Sequence, residues 1–412
     1  MTSEQTSSLN VASAQSVEKD PYDAGKEIAE KIDQETGNPG LAFVFSSEKL
    51  ADEELLKGIK EVLGDTTVIG TSTGGELTDQ GISTGTAVMM AIEADDLEVG
   101  VGIGENISDD NRKAGMTAAG KALDDLGEHN YVIRSLQREG IEWRNETPVN
   151  FNVFSTTLTG NGSEVMRGVQ EVLGPGAHVT GGLAGDDWQL NETYVYHNET
   201  VYNDALVVAA VKTRHNFTHG VKHGLERSDE RYQVTSSDAN IVHELGGEPA
   251  ADVYEDLYGA KGRTPNFIMT KPLGIEAGEE EVRLRDPLDI QDDGSIVYAA
   301  EVKEGSVVYI MESPSEKMIE AAKEAAKEAV EKAGNPDKDR IKGVVMHDCV
   351  CRWNCFNDEE TRNKEVEAVR EVVGEDTPVI GWYTYGEIAL PRALAGVHNQ
   401  TLVLEVFVEE EN

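Results

Sequence analysis

Apolar positions along the chain follow two rhythms. Short continuous or alternating runs predict strands, and i, i+3, i+4 spacing predicts helices. The first clear unit has a strand over 41–45. A helix over 52–63 comes next, with Leu55, Leu56, Ile59 and Leu63 on its inner face and Gly64 closing it. A second strand over 67–70 runs into the turn Gly74-Gly75-Glu76. The same order returns as strand 149–154, helix 163–173, strand 179–182 and the turn Gly185-Asp186. It returns again as strand 343–346, helix 363–373, strand 378–383 and the turn Gly386-Glu387. The pattern predicts an α/β (α+β) fold: mixed β-sheets with flanking helices, built from three related strand-helix-strand-turn-strand units. How the sheets are arranged is left open.

The remaining pattern fills the gaps. Residues 1–20, rich in Ser, Thr and Gln, are expected as a flexible tail. Helices are expected over 22–35 and 112–126. Strands 86–94 and 97–104 read as a hairpin around Asp95-Asp96, and 193–196 with 205–212 as its counterpart. Strands 231–235 and 241–245 read as another hairpin, and a helix starts at Pro249. Further strands are expected over 267–270, 282–285, 296–300 and 306–311. Ser313-Pro314-Ser315-Glu316 has the form of a capping box opening a long, alanine-striped helix to Ala333. A strand over 401–407 closes the chain. Two domains are expected, 21–245 and 246–412.

Charge adds one fact. With 77 acidic and 36 basic residues in 412, the net charge is -41. Such a surface repels nucleic acid and anionic lipid, so neither is expected as a partner. The acids are spread among ordinary apolar segments, which argues against a disordered polyanion. The pattern resembles proteins of salt-accumulating halophilic archaea, whose self-repulsion is screened over about 3 Å in molar salt. No apolar run approaches the roughly 20 residues needed to cross a bilayer, and no signal peptide opens the chain. Three cysteines form no disulfide framework. These features predict a cytoplasmic protein.

Candidate chemistry gathers in two places. The glycine turns can bring a ligand close to backbone N–H groups, and Glu76 or Glu387 can accept bonds from an ammonium group. The other reading of each turn is architectural: glycine bends the chain and the carboxylate caps the next segment. The second place is His347, Cys349, Cys351 and Cys355, four soft ligands in nine residues. On a continuous strand, residues two apart lie about 6.6 Å from one another. Zinc thiolates need sulfurs about 3.8 Å apart, so a metal requires the backbone to leave the strand there. Free thiols are the alternative, with Arg352 positioned to favour the thiolate of Cys349 or Cys351. Arg352 can also hold a carboxylate in a fork, or pair with a local acid. No phosphate loop and no nucleophile elbow is present, and no cofactor is expected.

At family level the chain resembles the FIST proteins, sensory modules with an N-terminal FIST part and a C-terminal FIST_C part. The resemblance rests on Leu41-Ala-Phe-Val-Phe, Val68 to Glu76, Val179 to Asp186, His219-Gly220 and Glu244 to Ala250. In the C-terminal part it rests on Pro272-Leu-Gly, Leu284-Arg-Asp-Pro, Asp348-Cys-Val-Cys-Arg352, Val379 to Glu387 and His398-Asn399. It implies a small-ligand sensor, the ligand an amino acid or similar metabolite, and no enzyme. With no output module visible, a separate signalling output protein is expected. Charge complementarity then places a ligand carboxylate at Arg352 and its ammonium group at Glu387 or Glu76. Cys349, Tyr383, Gly386, Gly74 and Gly75 complete the expected ligand site. The alternative is a thiol-based redox or metal-binding protein using His347, Cys349, Cys351 and Cys355.

Overall fold

Each of the three repeated helices begins and ends by local chemistry. Asp52, Asn161 and Asp358 accept hydrogen bonds from the exposed N–H groups of the first turn, and Gly64, Gly174 and Gly374 end the helices at positive φ. The computed structural model describes residues 8–129, 131, 147–174, 176–276, 282–356, 358–390 and 396–411. The first unit contains β1 (Leu9–Ser16), α1 (Pro21–Asp33), β2 (Leu41–Ser47), α2 (Glu53–Leu63) and β3 (Thr67–Thr73). The hairpin β4 (Glu76–Thr78) and β5 (Gly81–Ser83) is next, then β6 (Ala87–Ala94). The second contains β7 (Glu98–Glu105), α3 (Asn111–Asp125), β8 (Val149–Ser155), α4 (Gly162–Leu173) and β9 (His178–Leu183). Its hairpin is β10 (Val195–His197) and β11 (Thr200–Tyr202), and β12 (Ala205–Lys212) closes it.

The third unit opens with β13 (Asn216–Lys222) and is interrupted by an inserted sheet. That insertion comprises β14 (Glu226–Asp238), β15 (Ile241–Leu245), β16 (Glu248–Pro249), α5 (Ala250–Tyr258) and α6 (Pro265–Ile268). It continues through β17 (Leu273–Glu276), β18 (Val282–Arg285), β19 (Pro287–Ile290), β20 (Ile296–Tyr298) and β21 (Val307–Glu312). The unit then resumes with α7 (Ser315–Lys332), β22 (Ile341–Cys349), α8 (Val350–Trp353), α9 (Glu359–Val373) and β23 (Val379–Thr384). The hairpin β24 (Gly386–Ala389) and β25 (Val397–His398) and the closing β26 (Leu402–Val408) complete it.

Three six-stranded sheets result, with one common order: β1-β6-β2-β3-β10-β11, β7-β12-β8-β9-β24-β25 and β13-β26-β22-β23-β4-β5. The third and fourth strands of each are parallel, as in Leu41↔Thr67, Asn150↔His178 and Val344↔Val379. The last two strands always come from another unit. β10 joins β3, β24 joins β9 and β4 joins β23, so the three units exchange hairpins in a closed cycle.

The sheets share an aromatic core. Phe45 stacks on Trp382 with centroids 5.2 Å apart, and Phe43, Phe154 and Phe407 pack around them. Helix pairs cover the outer faces. The alanine stripe of α7 lies so close to β13 that a Cβ on Gly220 would sit 1.9 Å from the Ala325 carbonyl oxygen. A parallel constraint explains the glycine shared by the three repeated phrases. A Cβ on Gly70, Gly181 or Gly381 would meet the carbonyl of Val44, Val153 or Met346 at 1.8, 1.9 or 2.7 Å. Gly70→Ala is therefore expected to lower stability by about 1–3 kcal/mol, as overpacking does, read as a lower urea midpoint with an unchanged slope. An unchanged midpoint would show that β2 and β3 can part freely.

Several expectations are corrected. The flexible tail of 1–20 contains β1, which pairs with β6 from Leu9↔Ala94 to Ser16↔Ala87 and buries Leu9 and Val11. Residues 1–7 lie outside the described residues. Strands 86–94 and 97–104 make no hairpin: β6 and β7 enter different sheets, and Asp95-Asp96 crosses between them. Likewise the β10 partner is β11, while β12 goes to the second sheet. Residues 265–268 form α6 in place of the expected strand, with Pro265 in its first turn. The capping box is not made, since Ser313 donates to the Thr270 carbonyl. The division expected at 245/246 lies in the turn between β15 and β16 of the inserted sheet. Among the described residues no helix is long and apolar enough to cross a membrane.

Candidate functional site

The hairpin exchange brings the three glycine turns together. Gly74 N–H donates to Tyr383 O at 2.8 Å, and Tyr383 N–H to Gly75 O at 2.8 Å. Gly185 N–H donates to Ser72 O at 2.9 Å, and Tyr385 N–H to Leu183 O at 3.0 Å. The turn carboxylates face inward and are filled. Glu76 accepts from the Thr73 hydroxyl at 2.5 Å and from Thr86 through N–H and hydroxyl at 3.2 and 2.7 Å. Glu387 repeats the arrangement with Thr384 at 2.7 Å and Thr401 at 3.0 and 2.8 Å. Burial pushes both carboxyls up to about 8, against the bonds that favour their charged forms. Gly74 and Gly386 are packed by side chains: a Cβ on them would meet Val350 or Leu183 at 2.9 Å. A Cβ on Gly75 would lie 3.2 Å from the Trp353 ring.

One group of unsatisfied polar atoms lies beside these turns, at the carboxyl ends of β22 and β23. Asp348 stands opposite Tyr383 in the parallel register. Arg352, one turn on in α8, donates from Nε to Asp348 at 2.6 Å and from Nη2 to Glu365 of α9. Its Nη1 donates to the His223 carbonyl at 2.7 Å. Arg352, Asp348 and Glu365 are all 0% exposed. One guanidinium thus faces two carboxyls. Asp348 Oδ2, Glu365 Oε2 and the Tyr383 hydroxyl meet no N–H or hydroxyl partner among the described residues, and the two carboxyls lie within reach of one another. Burial first, then the Glu365 charge, raises Asp348 well above the usual carboxylate range. Trp353 and Arg362 border the cluster, the guanidinium 3.9 Å above the indole.

Of the four soft ligands, the structure separates His347 from Cys349 and Cys351. His347 turns into the shared core, where its Nδ1 accepts from Trp382 Nε1 at 2.8 Å. The strand ends at Cys349 and α8 begins at Val350, so Cys349 and Cys351 come together and meet Asp286 between β18 and β19. Cys355 lies to one side, its Sγ 3.6 Å from the Cys351 carbonyl. All three thiols are buried and free. Burial, and then the hydrogen bond with Cys351, raises the Cys349 thiol far above its ordinary value, so Arg352 does not make it a ready thiolate. Burial also pushes Asp286 up to about 7.

Sequence reasoning singled out Arg352 and Tyr383 but not Asp348, Glu365 or Asp286. A signal existed for two of them. Asp348 and Arg352 have i, i+4 spacing, and Glu365 interrupts the apolar stripe of α9 formed by Val366, Val369 and Val373. Asp286 arrives from a sheet far away in sequence, and no local pattern marks it.

Fold and site together define a class: three hairpin-exchanged α/β units carrying an insertion, with uncompensated buried polarity at one set of strand ends. The chain belongs to the FIST family. The FIST N domain model matches residues 40–248 and the FIST C domain model matches residues 250–390. FIST domains are sensory, ligand-binding modules. An uncharacterised protein of Methanocaldococcus jannaschii is 22% identical, over 95% of this chain and 78% of that protein. Two solved structures of cyanuric acid hydrolase cover 98% of this chain and all of theirs. One has 10% identity and a TM-score of 0.41. The other, from A. caulinodans, has 8% identity and a TM-score of 0.42. The expectation that the chain is no enzyme stands corrected to this extent, that the proteins of these two similar structures are enzymes. Their likeness assigns no reaction to this chain.

Proposed function

We propose that the chain senses a small metabolite bearing an ammonium group, an amino acid or a similar molecule, at the ends of β22 and β23. The observation that carries this reading is the trio of buried oxygens on Asp348, Glu365 and Tyr383 that no N–H or hydroxyl group reaches. Buried polar groups are nearly always satisfied, and an exception calls for an explanation. An ammonium group offers three N–H donors to three such acceptors. Arg352 then acts as the post that holds both carboxyls in place, while Glu76, Glu387 and the glycine turns form the frame around them. The cluster is closed over, so ligand entry requires α8 and α9 to move, and that movement is the signal offered to a separate output protein. A ligand shifts such an equilibrium by its differential affinity for the two states.

A thermal-shift screen in molar KCl against amino acids and primary amines tests the reading. A ligand at about 100 times its dissociation constant adds about 2.7 kcal/mol of stability. Tyr383→Phe removes one unpartnered hydroxyl, so it should leave the unliganded protein as stable or slightly more stable. It should also weaken ligand binding by about tenfold, the loss of roughly one good hydrogen bond. No stabilising amine, or a hit whose affinity ignores Tyr383→Phe, would exclude this site.

A further inference from the structure

We propose that Asp286, Cys349 and Cys351 form a binding site for a thiophilic divalent metal ion of zinc's kind. Spacing along a strand would keep the two thiols apart, but β22 stops at Cys349 and the helical turn of α8 starts at once. One ligand atom from each of the three residues lies within 4.8 Å of the other two. A tetrahedral zinc thiolate site needs sulfurs about 3.8 Å apart, a distance that side-chain rotation can reach. A second observation points into the same place. Asp286 is 1% exposed, and its Oδ1 has no hydrogen-bond partner among the described residues. Two thiolates and a carboxylate are a donor set that suits zinc better than magnesium or calcium. A water, or the neighbouring Gln400 side chain, supplies the fourth position.

Loading displaces the two thiol protons to solvent, leaving both sulfurs as metal-bound thiolates. The ligands come from two places in the fold: Asp286 from the inserted sheet, Cys349 and Cys351 from the third unit. A bound ion would therefore clamp the insertion to the body, next to the Arg352 cluster. His347 and Cys355, weighed in the sequence with these cysteines, are outside this donor set.

The test uses the full chain, freed of metal by chelation under reducing conditions and titrated with cobalt(II). The expected result is one equivalent bound, with a thiolate-to-cobalt charge-transfer band in the near ultraviolet and the visible bands of a tetrahedral site. Cys349→Ser, Cys351→Ser and Asp286→Asn should each weaken binding by about 100-fold or more, beyond what loss of a supporting hydrogen bond causes. Cys355→Ser should leave the spectrum and affinity unchanged. Circular dichroism of each metal-free variant shows whether it is folded, and Asp286→Asn carries the result if a cysteine variant is not. Absence of the charge-transfer band in the wild type overturns the site. So does a band that survives in Cys349→Ser and Cys351→Ser, which would mark adventitious binding elsewhere.

Discussion

Replacing Arg352 by methionine should cost about 3–5 kcal/mol of stability, the usual penalty for removing one partner of a buried ion pair. Against a total of about 5–15 kcal/mol for a typical domain, that is a large share. The cause is specific. Arg352 is the one cation hydrogen-bonded to Asp348 and Glu365 among the described residues, and neither carboxyl touches solvent. Without it the two buried carboxyls face one another with no cation between them, or water must enter. The triple variant Arg352→Met, Asp348→Asn, Glu365→Gln removes the charges together and should recover much of the loss. Urea unfolding at constant KCl measures both variants. A change below about 1 kcal/mol in the single variant would show that the cluster is hydrated and the ion pairs are worth no more than surface ones.

The second large effect is on pH. Burial raises Glu76 and Glu387 to about 8 and Glu405 to about 7. Asp187 adds to the shift of Glu76, and Asp286 to that of Glu387. Glu405 sits across the seam between sheets, accepting from Asn152 at 2.8 Å and Thr180 at 3.0 Å. These groups stay protonated in the folded chain at pH values where the unfolded chain has released the protons. Their contribution is complete below about pH 4.5 and is lost as pH rises through 7 and 8. Each group makes stability fall by up to about 1.4 kcal/mol per pH unit inside its window. Melting temperature is therefore expected to decline from about pH 5.5 to about 8.5 at fixed salt. Glu387→Gln, which keeps the shape of the protonated acid, should make the decline shallower. A flat profile, or a slope untouched by that variant, would mean that the carboxyls are ionised in the folded state. The exposed carboxylates act in the opposite sense and lower down. Glu93, held down first by the Gly37 N–H, loses its contribution only as pH falls through its lowered value.

Local chemistry was legible wherever it decided the outcome. Asp52, Gly64, Gly174 and the Val-x-Gly phrases announced helix ends and strand ends that the fold uses as written. Pairing was not legible, because neighbouring strands here separate. Ala94 and Glu98 lie four residues apart and belong to different sheets, while Glu76 pairs with Trp382 across some three-quarters of the sequence. Hairpin logic favours the nearest partner, and the exchanged cycle wins through tertiary burial that no window contains. The site divides the same way. Arg352 stood out as a lone guanidinium at a strand end. Its partners Asp348 and Glu365 were hidden among ordinary acids, and Asp286 needed the inserted sheet to bring it near Cys349.

The exchanged hairpins also set an order of events during synthesis. The second sheet is completed by β24 and β25, and the third by β4 and β5 from the opposite end of the chain. A nascent chain leaving the ribosome therefore carries β9 with a bare edge until Ala389 has emerged. The β4–β5 hairpin, made early, waits for β23. Such edges invite pairing with other chains, and domains with distant pairings fold slowly. Folding of this protein is thus the late closure of a cycle, and any fragment ending before β24 leaves an edge open to aggregation.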